Sequence, residues 1–152
     1  MQLQLGPYPV HLLKSDEPFS ETTWQDQLPA AVQEQAATYK AKSRREEFLR
    51  SRYLLQQLGT PIVGTGDGGE PLWEDGVVAS LTHKQGHVAV VQSRLDQTKG
   101  IGIDLESVAK VRLEFTHRIC TESDRILLEK FPATEQQQIL TTIFAAKEAL
   151  YK

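Results

Sequence analysis

Gly100-Ile-Gly-Ile-Asp-Leu-Glu106 is the stretch whose reading decides the fold. Apolar residues alternate with glycine or acid, the period of an extended chain rather than of a helix. A strand over 100–106 puts Ile101, Ile103 and Leu105 on one face and Gly100, Gly102, Asp104 and Glu106 on the other. The two carboxylates then stand about 7 Å apart along the backbone. Two readings stand side by side. Acids at a strand end emerge into solvent, or like charges so close hold a cation between them. Hard Mg²⁺ takes a few carboxylate oxygens together with substrate phosphates. The glycines on that face leave space for a ligand.

Upstream, VASLTHKQGHVAVV reads as a β-hairpin over Val78–Val91 turning at Lys84-Gln85-Gly86. His83 ends its first strand, either as a hydrogen-bonded turn residue or as part of a site. Downstream the chain turns helical. Thr121 and Asp124 start a short helix, Pro132 breaks it, and Thr134 with Gln137 caps a last one. Ile139, Ile143 and Leu150 follow helical spacing there. Glu148 and Lys152, four apart, read as a surface ion pair. If Glu148 instead faces Asp104 and Glu106, it completes a three-carboxylate site.

Residues 1–28 carry short apolar stretches among three prolines, as expected of a strand or two with loops. From Pro29 alanines and polar residues favour a helix. Ser43 and Glu46 form a capping-box pattern opening a second helix, with Phe48, Leu55 and Leu58 inward and Gly59 and Pro61 at its end. Lys40–Arg52 carries a net charge of +4. That is either a solvated helix face or a cradle for a small polyanion. With Ser43 as the cap, Arg44 and Arg45 fall in the first turn, where free N–H groups and the dipole also favour an anion. Residues 64–76 hold five glycines and read as a long turn. They lack Gly-Lys-Ser/Thr, so they are no P-loop.

The whole chain limits these choices. Its 152 residues suit one domain or two small packed halves, and 39% hydrophobic residues suffice for a core. A net charge of −3 argues against a general nucleic-acid binder. One cysteine, Cys120, excludes an intrachain disulfide, and His11, His87 and His117 lack zinc spacing. No apolar run approaches the roughly 20 residues of a membrane span. The N-terminus lacks the basic start and apolar core of a signal peptide. The expectation is a soluble, cytoplasmic protein.

The order of motifs is more specific than any one of them. GEPLW (69–73), SLTH (80–83), GIGIDLE (100–106) and FAAKEALYK (144–152) follow one another. In this order they resemble the 4′-phosphopantetheinyl transferase superfamily, in particular its siderophore-associated, enterobactin-synthetase component D type. The likeness runs from about Arg44 to Lys152.

The resemblance implies an α+β fold, a pseudo-dimer of two α/β halves enclosing coenzyme A. Residues 1–99 would form the N-terminal half and 100–152 the start of the C-terminal one. It implies Mg²⁺-dependent transfer of 4′-phosphopantetheine from coenzyme A to a serine of an acyl, peptidyl or aryl carrier protein, in siderophore or other nonribosomal-peptide, polyketide or fatty-acid synthesis. Asp104, Glu106 and Glu148 match the metal-holding carboxylates, and Glu148 also the group that takes the serine proton. His83 matches a phosphate-contacting histidine and Lys152 the lysine on the pyrophosphate. Arg44, Arg45 and Arg52 fall where relatives place basic residues near the 3′-phosphate. Glu70 stands where many relatives carry a basic residue. Two other readings remain open: a non-catalytic module of the same fold that binds coenzyme A or a carrier protein, and an unrelated Mg²⁺-dependent phosphoesterase. Family members continue beyond the lysine matching Lys152, so the resemblance also implies a truncated second half. The last helix would then have an uncovered apolar face, open to self-association.

Overall fold

The computed structural model describes residues 1–17, 27–60, 62–65 and 71–152. Along the chain these form β1 (Gln2–Leu5), β2 (Tyr8–Leu13), α1 (Ala30–Ala37), α2 (Lys42–Gln57), β3 (Ile62–Thr65), β4 (Pro71–Trp73), β5 (Val77–Lys84), β6 (His87–Arg94), a 3₁₀ turn (Leu113–Phe115), α3 (Thr116–Ile119), α4 (Glu122–Leu128) and α5 (Ala133–Leu150). The fold is mixed α/β around an antiparallel sheet ordered β1-β2-β6-β5.

The expected hairpin is β5–β6, in which Thr82 pairs with Ala89 and His83 with Val88. Its turn is the two residues Gln85 and Gly86, both at positive φ (51° and 78°). Such a turn matches the right-handed twist of its strands, and glycine suits the second position. β6 lies inside the sheet, so it is apolar on both faces: Val88, Ala89, Val90 and Val91 are all buried. β5 lies at the edge.

Alternation along β6 splits the core. Ala89 and Val91, with Val10 of β2, are covered by Ile101, Ile103 and Leu105. Val88 and Val90 point the other way, and α2, which brings in buried Phe48 and Leu55, packs against β6 and β5. A second core forms where Val111, Cys120, Leu128 and Leu140 meet, with Ile139, Ile143 and Phe144 around them. Leu140 is fully buried, which stabilises the fold by roughly 1.5–3 kcal/mol.

Several local expectations need correction. Residues 100–106 are extended but not a β-strand. Their apolar face is as expected, yet no strand pairs with them among the described residues. Two side chains of β5 take the place of a ladder. Ile103 N–H donates to Ser80 Oγ (3.1 Å) and Leu105 N–H to Thr82 Oγ1 (3.2 Å). Periodicity fixes which way side chains point, not what the backbone bonds.

Ser43 is not a cap. Ala41 holds that position, and the Arg45 N–H already bonds the Ala41 carbonyl at 3.1 Å, so Ser43 lies inside the first turn. Thr134 does not cap α5 either, because Pro132 precedes its first residue. Proline suits helix starts, where a missing N–H costs little. The capping box at Thr121 and Asp124 is present with both of its bonds. Gly59 ends α2 at φ 65°, with Gly59 N–H on Gln56 O and Thr60 N–H on Leu55 O. Residues 64–76 are not all turn, since β3 and β4 pair across them, with an irregularity between Ile62 and Gly64. Gly69 and Glu70 lie outside the described residues. Among the described residues no helix is long and apolar enough to cross a membrane.

Candidate active site

Alternation along β5 also builds the site. Ser80, Thr82 and Lys84 point toward residues 100–106, while His83 points toward α2. Because β5 is an edge strand, Thr82, His83 and Lys84 open together onto one cleft of about 400 Å³. Arg44, Arg52, His83, Lys84, Asp104, Glu106 and Lys152 all line it.

On the acidic side, Thr82 is the hinge. Its buried hydroxyl accepts from Leu105 N–H and donates to Asp104 Oδ1 at 3.0 Å. Lys152 Nζ sits 2.6 Å from the same Oδ1 and 3.2 Å from the Ile103 carbonyl. Lys84 Nζ lies 2.6 Å from Glu106 Oε2. Each acid thus faces a lysine, and two carboxylates coexist on one side of the cleft with little repulsion. Asp104 Oδ2 is buried and has no hydrogen-bond partner.

On the basic side, His83 is held between Glu47, 3.2 Å from Nδ1, and Arg44, whose Nη1 lies 3.0 Å from Nε2. Burial holds the imidazole below its usual pKa. Glu47 opposes that shift, and Arg44 and Lys152 add to it. Arg52 lies 4.3 Å above the Phe48 ring and donates to Ser51 Oγ at 3.1 Å. Burial lowers its pKa too. Arg45 donates instead to the Tyr39 carbonyl, at 3.1 Å.

Of the residues singled out in the sequence, the cleft brings together Arg44, Arg52, His83, Asp104, Glu106 and Lys152. It does not bring in Arg45 or Glu148. Glu148 is half-buried on α5. Among the described residues no three acidic, histidine or cysteine side chains gather closely enough to hold a metal ion. The donors nevertheless suit a hard divalent cation. Asp104 offers a buried, unbonded oxygen and Glu106 a second carboxylate, whose partner Lys84 stands where a cation would compete.

Glycine at 102 has a different use from the one its spacing suggested. A Cβ there would lie 1.8 Å from the Ala149 carbonyl oxygen. The space is taken by the end of α5, not by a ligand, and this crossing is what brings Lys152 to Asp104. Lys147 anchors the same helix. It donates to the Ile119 carbonyl at 2.7 Å and to Asp124 Oδ2, and the bond to Asp124, with those from Thr121, holds the Asp124 carboxyl at about 2. Cys120 is buried in this core, which raises its thiol pKa.

Residues 32–93 match the model of the 4′-phosphopantetheinyl transferase N-terminal domain, and residues 100–152 that of the 4′-phosphopantetheinyl transferase superfamily. The chain belongs to the 4′-phosphopantetheinyl transferase superfamily. It is 36% identical over 116 residues to the 4′-phosphopantetheinyl transferase PptT of Mycobacterium tuberculosis, covering 72% of this chain and 50% of the relative. It is 32% identical over 117 residues to the 4′-phosphopantetheinyl transferase Npt of Nocardia iowensis, with 73% and 52% covered. It is also 32% identical over 122 residues to enterobactin synthase component D of Salmonella typhimurium, with 73% and 48% covered. The chain spans about half the length of the curated relatives it matches.

Four residues that carry the site's geometry were not assigned a role from the sequence: Glu47, Thr82, Lys84 and Lys147. Glu47 was findable. It lies three residues after Arg44, on the same face of a helix.

Proposed function

We propose that this chain carries 4′-phosphopantetheinyl transferase activity, moving the phosphopantetheine group of coenzyme A to a serine hydroxyl of a carrier protein. The observation that carries the reading is the cleft itself. Arg44, His83, Lys84 and Lys152 line one space of about 400 Å³ together with Asp104 and Glu106, and one Asp104 oxygen is left unbonded. Such a cleft suits a polyanion and a divalent cation together.

The serine oxygen attacks the β-phosphorus of coenzyme A, and 3′,5′-adenosine bisphosphate leaves with the bridging oxygen. Chemistry of this kind asks for positioning and charge neutralisation more than for a nucleophile on the enzyme. Lys152 and His83 would meet the pyrophosphate, and Arg44 and Arg52 the 3′-phosphate. Arg45 would join them only by leaving the Tyr39 carbonyl. Asp104 and Glu106 would hold Mg²⁺, with Glu148 a third ligand if the last turn of α5 brings it in. The bound metal supplies charge neutralisation at the pyrophosphate. Glu148 is also the base for the serine proton in this reading.

The finer parts of the reading stand with it: the pseudo-dimeric arrangement of two α/β halves, a role in siderophore or related synthesis, and a cytoplasmic setting. So does self-association through the last helix, where Leu150 and Tyr151 are 86% and 90% exposed. The test is an apo-carrier protein incubated with coenzyme A and Mg²⁺ and weighed by mass spectrometry. A gain of one phosphopantetheine, lost in Asp104→Ala, supports the reading. Coenzyme A binding without transfer would instead make the chain a binding module.

A further inference from the structure

One helix holds both nitrogens of His83. Glu47 and Arg44 lie three apart on α2, so both reach the ring at the end of β5. Glu47 Oε2 is 3.2 Å from Nδ1, and Arg44 Nη1 is 3.0 Å from Nε2. A carboxylate can only accept a hydrogen bond and a guanidinium can only donate one. Both contacts are satisfied only when Nδ1 carries the proton and Nε2 presents its lone pair. The ring is therefore neutral and in a single tautomer. Glu47 is also well covered, with its side chain 19% exposed and that of His83 25% exposed. A carboxylate so covered needs a partner, and the imidazole N–H is that partner.

We propose that Glu47 is a positioning residue of this site. It fixes His83 in the Nδ1–H tautomer and turns Nε2 into the cleft, toward the phosphates of coenzyme A. The identity of that ligand rests on the transferase reading; the hold on the ring does not. Arg44 is exposed and can swing from Nε2 onto an arriving phosphate, whereas Glu47 lies deeper and stays behind the ring. The groups facing His83 are Glu47 and Arg44 from α2 and Lys152 beyond α5. Once phosphate engages the two cations, Nε2 takes up a proton from solvent and keeps it, donating a hydrogen bond to a phosphate oxygen. Glu47 balances the resulting imidazolium, and no electrons move.

Two measurements on the intact protein test this. Imidazole ¹⁵N NMR of the ligand-free protein should give a protonated Nδ1 and an unprotonated Nε2 for His83. Glu47→Gln should keep that pattern, because its amide oxygen still accepts from Nδ1. Glu47→Ala should lose it. Coenzyme A titrations should then show Glu47→Ala and His83→Ala each weakening binding about tenfold, or about 1.4 kcal/mol. The double variant should bind no more weakly than either single one, because Glu47 acts through His83. The isosteric Glu47→Gln variant, expected to bind between wild type and Glu47→Ala, guards against a folding defect. A wild-type Nε2–H tautomer, or losses that add in the double variant, would overturn the proposal. Wild-type protein that fails to bind coenzyme A would overturn the transferase reading and the phosphate role with it, while the NMR pattern still decides whether Glu47 holds the ring.

Discussion

Gly102→Ala should damage this protein twice, once in stability and once in the site. The added Cβ would sit 1.8 Å from the Ala149 carbonyl oxygen and 2.8 Å from its carbon, inside the 3.0 Å limit that real Cβ contacts respect. Both groups are backbone, so no side chain can rotate away and the two segments must part. Overpacking of this kind costs about 1–3 kcal/mol. At about 2–4 °C per kcal/mol for a chain of this size, the melting temperature should fall by roughly 2–12 °C. Lys152 follows Ala149 by three residues and reaches the Ile103 carbonyl at 3.2 Å and Asp104 at 2.6 Å. Parting the segments pulls it off both, so coenzyme A affinity should fall even at temperatures where the variant is folded. Gly100→Ala is the control, because its Cβ would meet nothing within 4 Å. Thermal melting and calorimetric titration of the two variants give the answer. A Gly102→Ala protein that melts and binds like Gly100→Ala would refute the crossing of α5 over this segment.

Thr82→Val removes the hydroxyl that Leu105 and Asp104 share, leaving a backbone N–H unpaired, and should cost about 1–3 kcal/mol in urea unfolding while Thr82→Ser costs less. Asp124 sits at about 2, below its ordinary 3.8, so its contribution is complete above that ordinary value and lost as pH falls through about 2. The melting-temperature gap between wild type and Asp124→Asn should therefore close over that interval; a gap independent of pH would remove the Lys147–Asp124 contact from the account. Neutralising Arg44 and Arg52 together should weaken coenzyme A at least about tenfold more than dephospho-coenzyme A, because only the former carries the 3′-phosphate. Arg45→Ala should show much less of this discrimination, and equal losses for the two ligands would move the arginines' role elsewhere.

Much of this architecture is legible in the sequence where one residue type has one physical use. The pattern over Val78–Val91 marks the hairpin, although its turn is the two residues Gln85 and Gly86, with Lys84 paired to His87 inside the strands. Thr121 and Asp124 marked a helix start that has both capping bonds. Ile101, Ile103 and Leu105 share the buried face that their spacing required. Legibility ends where a residue has several possible partners. Ser43 and Glu46 have capping spacing, but α2 begins upstream, and spacing cannot say which of two adjacent turns is first. Residues 100–106 have the period of a strand, yet hydroxyls of Ser80 and Thr82 meet their N–H groups where a ladder was expected. One of the cleft's two lysines was hidden for a similar reason. Lys84 looked like part of a polar turn until β5 became an edge strand with Glu106 beside it.

In the proposed transferase, one cleft, between the start of α2, the end of β5 and residues 104–106, takes both coenzyme A and its cation. A crystal structure of the protein grown with coenzyme A and Mn²⁺, with anomalous data at the manganese edge, tests it most directly. The expected result is an anomalous peak against Asp104 and Glu106, with the pyrophosphate lying between His83 and Lys152. It would be contradicted by coenzyme A seated instead in the 490 Å³ cavity between α1, α2 and β3, with no metal beside Asp104.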